Sequence, residues 1–479
     1  MAASALEAHP FASLFGIDER VSTQVLGEAM SRGAEFADLY FQHTRSTSLS
    51  LEDGIISRAN TGIDQGVGIR AVIGDQVGYA FSENLDKEAM YAAARTAAAI
   101  AEGTQTVPPQ NIQAKETDNH YAIGRDWDTV TITERLPLVQ NAESMTRAMD
   151  PTIEKVSVAW MDSDEQVLIV TSDGTFITDR RPMATLYCSI TANKNGVRQS
   201  NGASLARREG IEWFTEEQIR NVCQKAVDRT MILFDAQRPP AGEMPVVLAA
   251  GASGILLHEA IGHGLEADFN RKGTSIYATM INDKVAPGFV TIVDDGTQDN
   301  ERGALNVDDE GHPTECTTLI ENGVLKSYLH DRISAKHYNV SPTGSGRRES
   351  FRHVPLPRMR STYMLDGPHT RDEIIQSVDH GIIADTFTNG QVQIGAGDFT
   401  FYIKNGWLIE NGKITAPIKD VNIIGNGPEA LKNVVMAAND AELDDGSWTC
   451  GKGGQGVPVS MGVPTMLVET SMTVGGVNQ

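Results

Sequence analysis

The sequence contains no run of about 18 apolar residues, the length that a membrane-spanning helix requires. Its first residues also lack the basic region and the long apolar core of a secretory signal, so we expect no export signal. Basic residues are outnumbered, because 40 lysines and arginines stand against 63 aspartates and glutamates, which gives a net charge of −23. This charge argues against nucleic acid or a membrane surface as the main partner.

Cysteine is scarce as well. The 479 residues include four cysteines, which are far apart and form no CxxC pair. A disulfide scaffold is therefore not expected in a chain of this size, and the cysteine usage predicts a cytoplasmic protein. Contents of 40% apolar and 22% charged residues are typical of a folded, water-soluble chain long enough for two or three domains.

The pattern of apolar residues predicts an α+β protein with three domains. Helical and strand-like periods alternate in an N-terminal α+β domain over 1–105 and in a second α+β subdomain over 125–236, each with two layers. A polar stretch near 102–126 separates them, and the sequence QRPPAG at 237–242 marks the clearest boundary. Beyond it, 243–479 is predicted to be a mostly β domain that carries one long, metal-binding helix capped by Ser253.

The segment 258–263, HEAIGH, is the most informative part of the chain. It follows the apolar run 255–257 and places His258, Glu259 and His263 within one and a half helical turns. Two neutral imidazoles can hold a zinc ion, and a neighbouring carboxylate can serve as a general base. The motif is one residue longer than the familiar HExxH. A pair of ordinary helix histidines beside a solvated glutamate is therefore an open alternative.

The extra residue is a geometric problem that predicts a local distortion. Residues i and i+5 of a regular α-helix lie about 140° apart, so His258 and His263 could not share a metal ion there. A π-type turn, with roughly 4.4 residues per turn, brings them to within about 50°. Gly262 can ease such a change of backbone. We therefore expect a π-bulge or a broken turn between Glu259 and Gly264.

A third zinc ligand must come from elsewhere in the chain. Cys450 lies between Gly446 and Gly451, where the backbone can approach closely and a thiolate can reach a metal. Glu266 is the second candidate, and Cys316 is possible. The two remaining cysteines, Cys188 and Cys223, have the spacing of packed core residues.

The chain resembles the TldD/TldE (PmbA) family of metallopeptidases over nearly its full length. The resemblance rests on VL at 247–248, HEAIGHGLE at 258–266, DFNR at 268–271, VDDGT at 293–297, DDEG at 308–311, PTG at 342–344, GRRES at 346–350 and CGK at 450–452. It implies a Zn²⁺ site formed by His258, His263 and Cys450. It also implies a heterodimer with a TldE (PmbA)-like subunit that lacks the motif, which would make this chain the catalytic member.

These residues predict a zinc-dependent hydrolase, and the resemblance implies that its substrates are unfolded or short peptides. Glu259 would take a proton from the attacking water. Strand addition to a β-rich domain would bind the peptide backbone. Arg347 and Arg348 belong to a basic cluster for which a structural or subunit-contact role is simpler, and a substrate-binding role is the alternative. A non-catalytic peptide-binding or regulatory subunit with a structural zinc site is the competing function.

Overall fold

The computed structural model describes residues 9–101, 103, 107–444 and 446–476. Residues 1–8, on which the expectation of no export signal depends, lie outside the described residues, as do Glu102 and residues 104–106 at the start of the predicted linker. Among the helices that the structure describes, none is long and apolar enough to cross a membrane.

The described helices and strands alternate along the chain. The α-helices are α1 (Pro10–Phe15), α2 (Glu19–Ala29), α3 (Lys87–Ile100), α4 (Ile132–Met149), α5 (Glu216–Met231), α6 (Gly254–Leu257), α7 (Ala267–Arg271), α8 (Arg332–Tyr338), α9 (Arg371–Ser377) and α10 (Gly427–Lys432). The strands of the N-terminal half are β1 (Phe36–Glu52), β2 (Ile55–Ile73), β3 (Gln76–Ser82), β4 (Gln113–Ala114), β5 (Ile153–Thr171), β6 (Thr175–Lys194) and β7 (Val197–Arg207).

The C-terminal half has more strands, most of them shorter. They are β8 (Gly242–Glu243), β9 (Val246–Leu248), β10 (Ile292–Asp295), β11 (Cys316–Glu321), β12 (Val324–Leu325), β13 (Gly346–Arg347), β14 (Leu356–Pro357), β15 (Ser361–Met364), β16 (His380–Val392), β17 (Asp398–Glu410), β18 (Lys413–Ile418), β19 (Val421–Asn426), β20 (Val434–Ala437), β21 (Glu442–Leu443), β22 (Thr449–Lys452), β23 (Gln455–Pro458), β24 (Ser460–Val463), β25 (Met466–Val468) and β26 (Met472–Gly476). The predicted α+β class, with a mostly β C-terminal region, is confirmed.

The N-terminal half is built on one seven-stranded sheet. The strand order is β3-β2-β1-β5-β6-β4, and β7 pairs with β6. Strands from both stretches predicted as separate domains, 1–105 and 125–236, therefore share this sheet, because β1 pairs with β5 along most of its length. Helices α2 and α3 cover one part of the sheet and α4 and α5 the other, and each pair encloses its own hydrophobic core.

Local sequence explains many of the element boundaries. Asp86 accepts a hydrogen bond from the backbone N–H of Ala89 at 2.8 Å and so caps α3. The two Asn-Gly turns of the C-terminal half each place the asparagine and the glycine at positive φ, as tight hairpin turns require. These turns join β11 to β12 and β17 to β18.

Two sheets of the C-terminal half enclose the segment that carries the HExxxH motif. One sheet has the order β12-β11-β10-β15-β24-β21, and the other has nine strands in the order β20-β25-β9-β16-β17-β19-β26-β8, with β18 paired to β17. Leu256, Leu257, Ala260 and Ile261 belong to one large hydrophobic core with residues of both sheets. The motif is thus held inside the domain rather than on an open surface.

Buried ion pairs connect the two halves of the molecule. Arg181 of β6 lies 2.6 Å from Asp309, and Arg70 of β2 lies 2.7 Å from Glu310. All four side chains are at most 6% exposed. Each arginine also pairs with a carboxylate of its own half, Asp179 for Arg181 and Asp38 for Arg70, so the contacts are parts of buried charge networks that span the two halves.

Candidate metal centre

The HExxxH segment is helical but not a regular α-helix. Helix α6 ends at Leu257, a π-helical turn covers His258–Gly262, and a 3-10 turn covers His263–Leu265 before α7 begins. The distortion predicted from the i to i+5 spacing is confirmed. The single long helix expected here is wrong, because the chain changes its helical pitch twice within a dozen residues.

Close packing, rather than backbone freedom, explains the glycine inside this segment. Gly262 has φ −58° and ψ −49°, an ordinary helical conformation. A Cβ placed on it would lie 2.1 Å from the sulfur of Met359, so a larger residue does not fit without moving that side chain. The predicted cap is wrong, because the Ser253 hydroxyl donates to the carbonyl of Ala384 and accepts no hydrogen bond from a backbone N–H of α6.

The structure brings together the three side chains that were predicted as zinc ligands. One donor atom each of His258, His263 and Cys450 lies within 4.8 Å of the others, and all three residues are buried. The Cys450 sulfur is 3.6 Å from Nε2 of His263. The two imidazole rings are 5.1 Å apart and nearly perpendicular. Among the described residues this is the one group of three or more such donors within that distance.

The donor set fits a zinc ion. Zinc–nitrogen bonds of about 2.1 Å and zinc–sulfur bonds of about 2.3 Å at a tetrahedral angle place neighbouring donors roughly 3.4 to 3.6 Å apart. The separation of Cys450 Sγ from His263 Nε2 lies in that range. Both ring nitrogens of His258 are buried and have no hydrogen-bond partner within the described chain. Because an orphaned buried polar group is costly, this imidazole is suited to a metal ion.

Charged side chains behind the cluster orient His263. Its Nδ1 lies 2.9 Å from a Glu266 oxygen, which leaves Nε2 to face Cys450. Lys452 is 3.1 Å from the same Glu266 oxygen and donates to Asp268 at 2.7 Å. A carboxylate on the far nitrogen of a ligating histidine fixes its tautomer and raises its basicity. Glu266, the second candidate for the third ligand, thus occupies this supporting position.

The electrostatics of the cluster favour a thiolate. Burial raises the pKa of the Cys450 thiol, but the imidazoles of His258 and His263 outweigh it and hold that pKa well below its usual range. Burial lowers the pKa of His263, whereas Glu266 and Cys450 raise it well above its usual range. For Glu266, burial raises the pKa, but Lys452 and His263 bring it down to about 2. The carboxylate behind His263 is therefore ionised at neutral pH.

Glu259 is the member of the motif that reaches solvent. Its carboxylate lies 3.7 Å from Nε2 of His263, and its side chain is 23% exposed, whereas that of His263 is 4% exposed. A carboxylate beside the ligand nitrogens and open to water can exchange a proton with a reactant there.

Other candidate residues lie elsewhere. Cys316 is exposed on β11, and Cys188 and Cys223 belong to a hydrophobic core of the N-terminal half. Arg347 is buried and donates to the carbonyls of Met359 and Pro458. Arg348 is buried and donates to the carbonyl of Asp309, and its guanidinium stacks 4.4 Å from the centre of the Tyr40 ring.

Two supporting residues were missed as such by the sequence reasoning. Lys452 lies two residues beyond Cys450 on β22, so both side chains face the same side of the strand, a signal that was available. Arg358 is fully buried and donates to the carbonyl oxygen of Cys450. No sequence pattern links Arg358 to the metal cluster, because the contact spans 92 positions.

Comparison with protein families matches three consecutive parts of the chain. Residues 37–101 match the PmbA/TldA metallopeptidase domain 1, and residues 125–234 match the central domain. Residues 241–476 match the PmbA/TldA metallopeptidase C-terminal domain. Together these matches cover most of the sequence.

Individual relatives are similar along their whole length. The chain is 41% identical to a Metalloprotease TldD homolog of Haemophilus influenzae, over 93% of this chain and 94% of that protein. It is 27% identical to a protein named Zinc metalloprotease TldD homolog of Saccharolobus solfataricus, over 94% of this chain and 98% of that one. The crystal structure of TldE from Thermococcus kodakarensis has the same fold, with a TM-score of 0.76 at 19% identity over 95% of this chain and 100% of that one.

Proposed function

Because the chain belongs to the PmbA/TldD metallopeptidase family, we propose that it is a zinc-dependent peptidase and the catalytic subunit of a TldD/TldE-type complex. His258, His263 and Cys450 would hold the zinc ion, and Glu259 would act as the general base. The observation that carries the proposal is the meeting of two imidazoles and a thiol within 4.8 Å beside a carboxylate that reaches solvent.

The number of donors argues for a catalytic rather than a structural zinc. A structural site closes its four positions with protein ligands, whereas a catalytic one leaves a position for water. The cluster contains three donors among the described residues, and Glu266 lies against the far side of His263. With these three ligands, a bound zinc ion would keep its fourth position for a reactant.

The reaction follows from the positions of these side chains. When bound, the zinc ion supplies Lewis acidity toward water and the scissile carbonyl. Glu259 accepts one proton from the attacking water, whose oxygen bonds to the carbonyl carbon. The carbon–nitrogen bond then breaks, and Glu259 returns the proton to the leaving amine. Glu266 and Lys452 keep the His263 ring oriented throughout.

Unfolded or short peptides are the proposed substrates, and a TldE/PmbA-like subunit is the proposed partner. Unfolded or short peptides suit a site enclosed by β-sheets, since an extended peptide can pair with an exposed strand edge. The likeness to a TldE structure supports a TldE/PmbA-like partner subunit. A cytoplasmic location remains a prediction from cysteine usage.

Replacement of Glu259 by glutamine tests the central assignment. The amide keeps the size of the side chain but cannot take a proton, so we expect about one zinc per chain to remain while cleavage of an unstructured peptide falls at least 100-fold, within the range that general-base loss produces. Zinc is measured by elemental analysis, and cleavage is measured with and without the partner subunit.

The matched control is Glu216→Gln, which removes an exposed carboxylate of α5. It should leave both zinc content and turnover unchanged. Full turnover by Glu259→Gln would remove this residue from the mechanism. A wild-type chain that binds zinc but cleaves no peptide, even with its partner, would support the non-catalytic peptide-binding or regulatory subunit instead.

A further inference from the structure

A cavity of about 300 Å³ lies between the N-terminal sheet and the C-terminal half. Its wall contains five arginines, Arg181, Arg208, Arg302, Arg347 and Arg348. Three carboxylates also line it, Glu165, Asp309 and Glu349. The cavity is therefore rich in positive charge, although the whole chain carries a net charge of −23.

Carboxylates neutralise two of the five arginines. Arg181 lies 2.8 Å from Asp179 and 2.6 Å from Asp309. Arg348 lies 3.4 Å from Asp38 and donates to the carbonyl of Asp309. Their positive charges are compensated within the protein, so neither guanidinium requires a ligand.

The other three arginines lack such compensation. Arg302 donates to the carbonyl of Trp448, to the Thr449 hydroxyl and to the Met183 sulfur. Arg347 donates to the carbonyls of Met359 and Pro458. Arg208 donates to the carbonyl of Pro182, and its Nε is buried without a hydrogen-bond partner. Within the described part of the chain, none of the three forms an ion pair with a carboxylate. Arg208 and Arg347 are each 3% exposed.

Burial and mutual repulsion make these charges costly. Burial, followed by Arg358 and Arg208, lowers the pKa of Arg347 to about 9 despite the attraction of Asp309. Burial and Arg208 lower the pKa of Arg302 to about 10. Burial also lowers the pKa of Arg208. An anion inside the cavity would relieve all three guanidinium groups at once.

The cavity and the metal centre lie on opposite faces of one hairpin. Thr449, Gly456 and Pro458 of the β22–β23 hairpin line the cavity. Side chains alternate along a strand, so Cys450, next to Thr449, points to the other face, where its sulfur meets His263. Arg302 holds the β22 side of this hairpin and Arg347 holds the β23 side.

We propose that this cavity is a binding site for an oxyanion group, a carboxylate or a phosphate, held by Arg208, Arg302 and Arg347. The planar guanidinium fork matches the two oxygens of either group and binds them more strongly than neutral donors do. Since the field of an acidic chain repels anions, the affinity must come from these local groups. The occupant bridges the arginines that hold the hairpin and so steadies the strand that carries Cys450. The site is independent of the proposed peptidase function.

Calorimetric titration of the full chain with inorganic phosphate tests the site. We expect saturable binding of one phosphate per chain. Arg208→Gln and Arg302→Gln should each weaken it at least about tenfold, the scale of a lost charge-assisted contact. The matched control, Arg198→Gln on the exposed end of β7, should change the affinity less than about twofold, as expected for a surface ion pair.

A pair of peptides distinguishes the two sources of the anion. A short peptide with a free C-terminus and its C-terminal amide are titrated into the Glu259→Gln variant, so that neither is cleaved. Preference for the free acid that disappears with Arg302→Gln identifies a peptide carboxylate as the occupant. Binding of phosphate without such a preference identifies a free anion. Either outcome supports the site.

Two results would overturn the proposal. One is the absence of saturable binding for phosphate and for both peptides. The other is equal affinity in the wild type and in the Arg208 and Arg302 variants. Arg302→Lys keeps the positive charge and should bind phosphate with an affinity between those of the wild type and Arg302→Gln. This graded result would distinguish loss of a charge from misfolding. Anion binding is measured without turnover, so its failure would leave the peptidase proposal untouched.

Discussion

Cysteine is buried in two regions of the molecule, and the pKa of Cys188 in one region is shifted in the opposite direction to that of Cys450 in the other. Cys188 of the N-terminal sheet is 0% exposed and Cys450 of the C-terminal half is 1% exposed. A contact with the Cys223 thiol and then burial raise the pKa of Cys188. At Cys450 the imidazoles of His258 and His263 outweigh burial and lower it. Burial alone therefore does not set the direction in which the pKa of a thiol shifts, because the groups that contact the sulfur contribute as well.

The surrounding backbone differs as well. Cys188 lies within the long, regular strand β6, where the Thr146 hydroxyl of α4 is 3.5 Å from its sulfur. Cys450 lies in a short hairpin, and it faces a helical segment whose pitch changes from α to π to 3-10. The packing residue Cys188 thus lies in a regular strand, whereas the proposed ligand Cys450 faces a distorted helical segment. Functional sites are where local rules are most often broken.

The largest effect is expected from removing the ligand sulfur. Cys450→Ser should lose its zinc and lower peptide cleavage at least 100-fold, because a neutral hydroxyl is a much weaker zinc ligand than a thiolate. Cys188→Ser should keep the zinc and the turnover, since this residue belongs to a hydrophobic core of the N-terminal half. Elemental analysis and a peptide assay measure both variants. A Cys450→Ser chain that still binds one zinc ion would show that Cys450, like Cys188, is not a zinc ligand.

A smaller effect is expected from the carboxylate behind His263. Glu266→Gln should weaken zinc binding about 10- to 100-fold, as outer partners of metal ligands usually do, while the three ligands stay in place. Zinc affinity is measured by competition with a chelator. Glu216→Gln is the control on the surface, and equal affinities in the two variants would show that Glu266 has no orienting role.

The same carboxylate should make stability depend on acid pH. The pKa of Glu266 falls from 4.5 to about 2 in the folded chain. Its contribution to the free energy of unfolding is therefore complete above pH 4.5 and is lost as the pH decreases from 4.5 toward 2. In the metal-free protein, the free energy of unfolding should therefore decrease less steeply over this range in Glu266→Gln than in the wild type. Urea denaturation at several pH values measures the two slopes, and parallel slopes would contradict the assignment.

The smallest effect concerns packing against the π-turn. A Cβ at Gly427 would lie 2.3 Å from the carbonyl oxygen of Ala260. Gly427→Ala should therefore lower the free energy of unfolding by about 1–3 kcal/mol, as overpacking does. The matched control is Gly475→Ala on β26, the strand that pairs with β19 just before Gly427. A Cβ at Gly475 would have no atom within 4 Å. Thermal unfolding compares them, and equal midpoints would show that the segment is not tightly held.

Local sequence patterns predicted the π-turn of the site correctly, but they predicted the wrong roles for Gly262 and Ser253. The spacing of His258 and His263 predicted the π-turn, because helical geometry depends only on the residues between them. The role given to Gly262 was wrong, since the constraint is Met359, 97 positions away in the chain. Ser253 is of a residue type that often caps helices, but its hydroxyl donates to the carbonyl of Ala384 in β16. A tertiary partner overrode the local preference in both cases.

The amino-acid sequence alone was enough to predict the α+β class, the distorted turn from the spacing of the HExxxH motif, and the family resemblance. These follow from hydrophobic periods and local motifs, which a short stretch of chain carries within itself. The sequence ranked Cys450 first among the candidates for the third ligand, but only the folded chain brings its sulfur to 3.6 Å from Nε2 of His263, 187 positions away. The tertiary structure also joins strands of two predicted domains into one sheet and gathers around one cavity three arginines that form no ion pair within the described chain. Such contacts depend on packing between distant segments, which no local pattern specifies.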